Sequence, residues 1–234
     1  MAGRSKQSYV VATIKPWNFS QFALRTPRFP GRWHLIETPE NLTPAAIASL
    51  QPRYIFFPHW SWKVPEEITR DFECVCFHMT DVPYGRGGSP LQNLIVRGHK
   101  ETVISALRMT SSMDAGPVYM KTGLSLDGSA QEIFERASTV VFDMIAEIAM
   151  KEISPAPQVG EPVVFKRRRA EESVLPDRGT LESLYDHIRM LDADTYPRAF
   201  LIHNRFRLEF SGAVRNGAAV EATVRIVDNE PEKP

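Results

Sequence analysis

The stretch Cys74-Val75-Cys76-Phe77-His78-Met79-Thr80-Asp81-Val82-Pro83-Tyr84-Gly85-Arg86-Gly87-Gly88-Ser89-Pro90 decides how the rest of the chain is read. Its first four residues form an apolar run that reads as a buried strand, and Gly85, Gly87 and Gly88 open a loop just beyond it. His78 therefore stands where a strand gives way to a glycine-rich loop, the place where open α/β sheets bind their ligands. Histidine exchanges a proton near neutral pH, and glycine lets backbone approach a ligand closely. A histidine at a strand end is more often structural than catalytic, so the case for chemistry depends on what surrounds this loop.

Working outward, β-branched and aromatic runs at residues 9–14, 33–37 and 54–58 read as three strands before the central one. Short helical segments separate them. One is opened by the cap residues 41–43 and Pro44, another by Pro65-Glu66-Glu67. Strands alternating with helices predict an α/β fold with a Rossmann-like, mostly parallel sheet and right-handed crossovers. Beyond the loop, residues 90–96 start a helix, and 102–109 and 117–120 read as strands. Residues 130–151 place Ile133, Ala137, Val140, Val141, Met144, Ile145 and Ile148 on one apolar helix face. The proline-rich segment 154–162 reads as a linker to an appendage, which divides the chain into 1–153 and 154–234. The appendage holds a basic run from Lys166 to Arg169, a helix over 180–191, and strands at 206–210 and 219–227 around the hairpin signal Asn216-Gly217; 228–234 reads as a disordered tail.

Composition narrows the function classes. At 234 residues the chain can bury a real core, and no apolar run approaches the ~20 residues of a membrane-spanning helix. The first residues lack the apolar centre of a signal peptide, so the cytoplasm is the expected location. Lys+Arg 28 balance Asp+Glu 28, which disfavours a global electrostatic pull toward nucleic acid or anionic membrane. Cys74 and Cys76 lie two apart on one strand, poor geometry for a disulfide and too few ligands for zinc. In the basic run, guanidinium groups suit a phosphate, and a solvated surface stretch fits equally well.

The pattern His78-x-x-x-x-Pro83-x-x-Arg86-Gly87-x-x-Pro90, followed by Met113-Asp114-Ala115-Gly116, resembles the folate-dependent formyltransferases. In that family the loop reads Asn-x-His-Pro-Ser-Leu-Leu-Pro-x-x-Arg-Gly-x-x-Pro, and a later Asp-x-Gly supplies an acid. The resemblance extends over residues 9 to 200. It implies that His78 and Asp114 are catalytic, that N10-formyltetrahydrofolate is the formyl donor, and that no metal is needed. The family's asparagine falls on Cys76, a thiol where an amide N–H would serve as oxyanion donor. The donor is expected near Pro58, Trp60 and Trp62, with Arg86 and Gly87 beside it. Thr80, Lys166, Arg167 and Tyr185 are the residues expected to border the second substrate.

The branch it resembles implies a small acceptor, a UDP-linked 4-amino-4,6-dideoxy sugar of nonulosonic (pseudaminic) acid synthesis, whose product feeds a surface glycan. Methionyl-tRNA as acceptor and an inactive folate- or nucleotide-sugar-binding module are the alternatives, and a Cys76–His78 amidase is a remote one. The C-terminal hairpin could close the active site or pair with a second subunit as a homodimer.

Overall fold

A computed structural model describes residues 7–229, and the chain divides into two compact units. One comprises the chain up to Gly87, Thr102–Leu124 and Glu135–Val164; the other comprises Gly88–Glu101, Ser125–Phe134 and the chain from Phe165 onward.

The first unit is organised on a sheet. Its strands are β1 (Ser8–Ala12), β2 (Arg32–Ile36), β3 (Pro52–Phe57), β4 (Cys74–His78) and, beyond the two-residue β5 (Arg86–Gly87), β6 (Glu101–Arg108) and β7 (Val118–Ser125). Their order is β2-β1-β3-β4-β6-β7. β1 runs parallel to β2 and β3, β3 runs parallel to β4, and β6 pairs with β4 in the antiparallel sense. Helices α1 (Pro16–Arg25), α2 (Pro44–Leu50) and α3 (Glu66–Asp71) connect the four parallel strands.

The expected mostly parallel sheet is therefore present, and its residues explain it. Tyr9, Val10, Val11 and Ala12 have no exposed surface, and Ile55 and Phe56 have none either, as a sheet covered on both faces requires. Aromatic rings tie neighbouring strands together: Trp33 stacks on Tyr9 at 4.5 Å and lies 6.0 Å from Phe56, which lies 6.4 Å from Phe77. Thr43 caps α2 by accepting the Ala46 N–H at 3.2 Å, a contact worth about 1 kcal/mol.

Helix α5 (Ala130–Lys151) follows β7 over the predicted span. Ile133, Ala137, Val141, Met144, Ile145 and Ile148 are buried as its periodicity demands, and Val140 is half-buried. The polar side of this core is tied down as well. Asn18 of α1, fully buried, donates to Thr13 Oγ1 at 2.8 Å and Pro58 O at 3.2 Å, and its Oδ1 accepts from Ser138 of α5 at 2.6 Å. One amide thereby joins the ends of β1 and β3 to α5.

The second unit holds α4 (Pro90–Val96), α6 (Leu181–Arg189) and an antiparallel sheet of β9 (Ala199–His203), β10 (Phe206–Asn216) and β11 (Ala219–Asp228), with β10 in the middle. A short β8 (Val164–Phe165) precedes it in the chain. The Asn216-Gly217 hairpin forms where expected, but β10 continues well past residue 210. Gly212, at φ 59°, sits in a register shift between Ser211 and Val214, so a bulge carries the strand across a glycine that reads as a stop in sequence. Asp228 pairs with Phe206 and belongs to β11, not to a tail; residues 230–234 lie outside the described residues. Among the described residues, no helix is long and apolar enough to cross a membrane.

Candidate functional site

Strand β4 delivers His78 to the carboxyl edge of the parallel strands, and the loop after it turns back over the ring. His78 is 7% exposed, and its Nε2 lies 2.7 Å from the carbonyl oxygen of Gly85. A carbonyl can only accept, so Nε2 carries the hydrogen and Nδ1 is the nitrogen left with a lone pair. That Nδ1 is 3.6 Å from Asp114 Oδ2. The family pattern aligned these two residues; folding brings them side by side.

Asp114 stands in the connection between β6 and β7 with φ 51°, a left-handed conformation that Asp tolerates better than most residues. Its Oδ2 also accepts the Gly87 N–H at 2.9 Å, so the carboxylate clasps the loop that covers His78. Gly116 has a packing reason to be glycine: a Cβ there would lie 1.8 Å from the Arg108 carbonyl oxygen. Loop residues 80–82 are held from two sides. Ser105 donates to Thr80 O at 2.7 Å, and Lys121 Nζ donates to Asp81 Oδ1 at 2.5 Å and to Val82 O at 2.7 Å. Thr80 itself has no exposed surface, and its hydroxyl is directed to Gly85 O at 3.3 Å, so the structure places it under the loop and not on a substrate-facing surface.

Cys76 lies two residues before His78 on the same face of β4. Burial pushes its thiol up to about 12, with the charge of Asp114 adding to the effect. At neutral pH it is a protonated thiol. A weak S–H donor is therefore what this chain presents where the family pattern has an amide, and the thiolate that an amidase dyad needs is absent.

Arg86 turns to Gln158. Its Nε and Nη2 fork the Gln158 Oε1 at 3.1 and 2.7 Å, while Gln158 Nε2 donates to the carbonyls of Asp114 and Gly116, each at 2.8 Å. The segment read as a linker is thus a strap beside the site: Ala156 exchanges two backbone hydrogen bonds with Val118, and Val163 bonds to Pro83 O and Arg86 N.

The loop after β3 is set on the Asn18 hub through Pro58. His59 follows at φ 53°; Trp17 Nε1 and Asn18 Nδ2 approach its Nδ1 at 3.4 and 3.5 Å. Burial and the charge of Lys15 lower its pKa to about 4, so the ring is neutral and its Nδ1 lone pair accepts the Trp17 N–H. Trp60 packs edge-on to Phe57 at 6.1 Å and to Trp62 at 5.5 Å, and Trp62 is 48% exposed. The indole Nε1 of Trp60 is shielded from solvent with no partner among the described residues.

His78, Asp114, Cys76, Arg86 and Gly87 thus gather in the first unit, which also carries Pro58, Trp60 and Trp62. Thr80 lies in the first unit as well, whereas Lys166, Arg167 and Tyr185 belong to the second. Lys166 and Arg167 line a cavity of about 700 Å³ with Arg169, Glu171 and Glu172. Tyr185 is half-buried under the guanidinium of Arg189, 5.4 Å from its ring. Sequence reasoning passed over Gln158, Lys121 and Asn18. An amide or amine whose partners include residues about 40 positions away leaves no local pattern; the signals available are a polar Gln158 amid prolines and a polar Asn18 beside the apolar residues of its helix.

Comparison with known proteins bears on the same elements. The sequence profile described as "Methionyl-tRNA formyltransferase, C-terminal domain" matches residues 170–227. The methionyl-tRNA formyltransferase of Sinorhizobium medicae is 29% identical over 159 residues, 64% of this chain and 49% of that protein, so the chain spans about half the length of that relative. The solved structure of methionyl-tRNA formyltransferase from Clostridium thermocellum is 44% identical, covers 95% of this chain and 99% of its own, and superposes with a TM-score of 0.91. A sugar N-formyltransferase from a Shewanella species shares the fold at 14% identity and a TM-score of 0.63, over 97% of this chain and 99% of that one. HypX from Aquifex aeolicus, solved with tetrahydrofolic acid, does so at 17% identity and 0.71, over 88% of this chain and 37% of its own. With near-complete coverage at 44% identity, and with the expected histidine and aspartate meeting at the end of β4, this chain belongs to the formyltransferase family.

Proposed function

We propose that this protein transfers a formyl group from N10-formyltetrahydrofolate to a primary amine, with His78 as the base and Asp114 as its support. The observation that carries the reading is the 3.6 Å approach of His78 Nδ1 to Asp114 Oδ2, with Gly85 holding the opposite nitrogen. The donor molecule is assigned to the loop after β3, where exposed Trp62 offers an aromatic face. When bound, N10-formyltetrahydrofolate supplies a formyl carbon open to attack by an amine.

His78 Nδ1 takes the proton that the acceptor nitrogen loses as it becomes an amide, and the Asp114 carboxylate stabilises the imidazolium so formed. Gly85 O keeps the ring from rotating, which fixes Nδ1 as the basic atom. Cys76 S–H is the side-chain donor this chain offers to the developing oxyanion.

For the acceptor, we read the amine of a UDP-linked amino sugar of pseudaminic acid type, in the cytoplasm. The even balance of Lys+Arg 28 and Asp+Glu 28 supports a small acceptor over a polyanion. Methionyl-tRNA is the second reading, favoured by the names of the relatives just described. One panel separates them: purified protein, N10-formyltetrahydrofolate, UDP- and dTDP-linked amino sugars, and charged initiator tRNA. A formyl group on one sugar supports the first reading. Formylation of the tRNA alone, falling steeply with salt, gives the acceptor to the second.

The second unit also offers a surface for a homodimer. Leu201, Phe206, Val224 and Ile226 share one face of the β9–β11 sheet and are 39, 40, 42 and 62% exposed. Sedimentation velocity on the wild type and on Ile226→Lys tests it; a monomer in both removes this reading.

A further inference from the structure

We infer that Gln158 is a positioning residue that sets the Asp114 carboxylate against His78. The inference rests on the reading of His78 and Asp114 as the reacting pair, and its geometry stands apart from any choice of acceptor.

Gln158 uses both ends of one amide. Its oxygen accepts the Arg86 fork at 3.1 and 2.7 Å, and its nitrogen donates to the Asp114 and Gly116 carbonyls at 2.8 Å each. Those two carbonyls bracket the turn in which Asp114 takes its left-handed φ of 51°. A backbone bend of this kind persists only where neighbours over-determine it. Three restraints act here: the Gly116 position packed on Arg108 O, the Asp114 Oδ2 bond to Gly87 N at 2.9 Å, and the amide of Gln158. Gln158 alone ties both flanks of the turn to the loop over His78, because Arg86 is the neighbour of Gly87.

Only a carboxamide meets this double demand. A carboxylate accepts from Arg86 but cannot donate to two carbonyls, and a thioether does neither. The strap holds the residue at its height: Val118 N and O bond to Ala156 at 2.7 and 2.9 Å, and Val163 N bonds to Pro83 O at 3.1 Å. The proline-rich segment is thereby part of the site's architecture, and it acts on the chemistry through Asp114.

The test uses the full chain with Gln158→Met and the isosteric Gln158→Glu, read in two independent ways. The first is the exchange rate of the Gly87 amide, whose protection reports Asp114 Oδ2 directly and requires no turnover. The second is steady-state formyl transfer. Both variants are expected to speed Gly87 exchange at least tenfold. They are also expected to lower kcat by roughly ten- to a hundredfold, with donor KM within twofold, and the kcat loss should disappear when Asp114→Asn is already present. Gln158→Glu, which keeps the Arg86 contact, separates the two halves of the amide: if it retains both Gly87 protection and kcat, the inference is overturned. An equal loss on top of Asp114→Asn also overturns it, since Gln158 would then not act through Asp114. If Gly87 exchange responds as expected while the wild type transfers no formyl group, the positioning role holds and the formyl-transfer reading fails.

Discussion

Asp114→Asn removes one charge and little else. Asn keeps the volume, tolerates the left-handed φ, and retains an oxygen to accept the Gly87 N–H. What is lost is the Coulombic support of a protonated His78. At 3.6 Å, with an effective dielectric of about 20, that attraction is about 4–5 kcal/mol. Side-chain exposures of 9% for His78 and 15% for Asp114 keep water mostly out, yet relaxation of the loop returns part of the loss. We therefore expect kcat to fall by about 2–4 kcal/mol in barrier, roughly 30- to 1,000-fold. The assay is steady-state formyl transfer over a range of donor concentrations with saturating acceptor, following tetrahydrofolate release. Donor KM should stay within twofold, because the loop after β3 is untouched. A kcat within threefold of wild type would refute the reasoning, for it would mean that no imidazolium develops beside Asp114 in the rate-limiting step.

Three further outcomes follow from the same geometry. Cys76→Asn replaces a weak S–H donor with an amide; oxyanion donors are worth about 2.7–4 kcal/mol elsewhere, so kcat should rise at least tenfold, and no gain means another group already fills that role. Gly116→Ala drives a Cβ to 1.8 Å from Arg108 O, and should cost at least about 2 kcal/mol of stability by urea denaturation together with most of the activity; a wild-type urea midpoint contradicts the packing argument. His59, whose pKa falls from 6.5 to about 4 on folding, binds a proton more readily in the unfolded chain. Its contribution to stability is complete above pH 6.5 and is lost as pH falls toward 4, so the urea midpoint of His59→Asn should depend less on pH across that window than that of the wild type. Equal slopes would show that the ring is already solvated and free to charge.

Much of this arrangement could be read from the residues because its signals are local. An apolar run that stops at a glycine-rich loop announces both β4 and the position of His78, and the apolar face of residues 130–151 announces α5 from end to end. The Asp114 partnership was legible only against a family pattern, since nothing in Met113-Asp114-Ala115-Gly116 itself names a histidine as neighbour. Other features were hidden for identifiable reasons. β9 ends in the Asn204-Arg205 turn, with Asn204 at φ 54°, where no Asn-Gly pair marks a hairpin. β10 crosses Gly212 by a bulge. Gln158 sits among prolines in a stretch that reads as connector, and its partners arrive from two distant segments, Arg86 of the loop and the Asp114–Gly116 turn. The resemblance implies that Thr80 borders the second substrate; its burial goes with hydrogen bonds to Gly85 and Ser105 that only the folded loop creates.

The most direct test of the central claim is whether this pair of residues moves a formyl group. Wild-type protein and His78→Ala are incubated with N10-formyltetrahydrofolate carrying an isotopically labelled formyl group and with the amine acceptors named above, and the acceptors are analysed by mass spectrometry. The account predicts labelled formamide on one acceptor, tetrahydrofolate released in equal amount and only when that acceptor is present, and loss of both in His78→Ala. Label transfer that persists in His78→Ala, or donor binding by the wild type with no label on any amine, would contradict it.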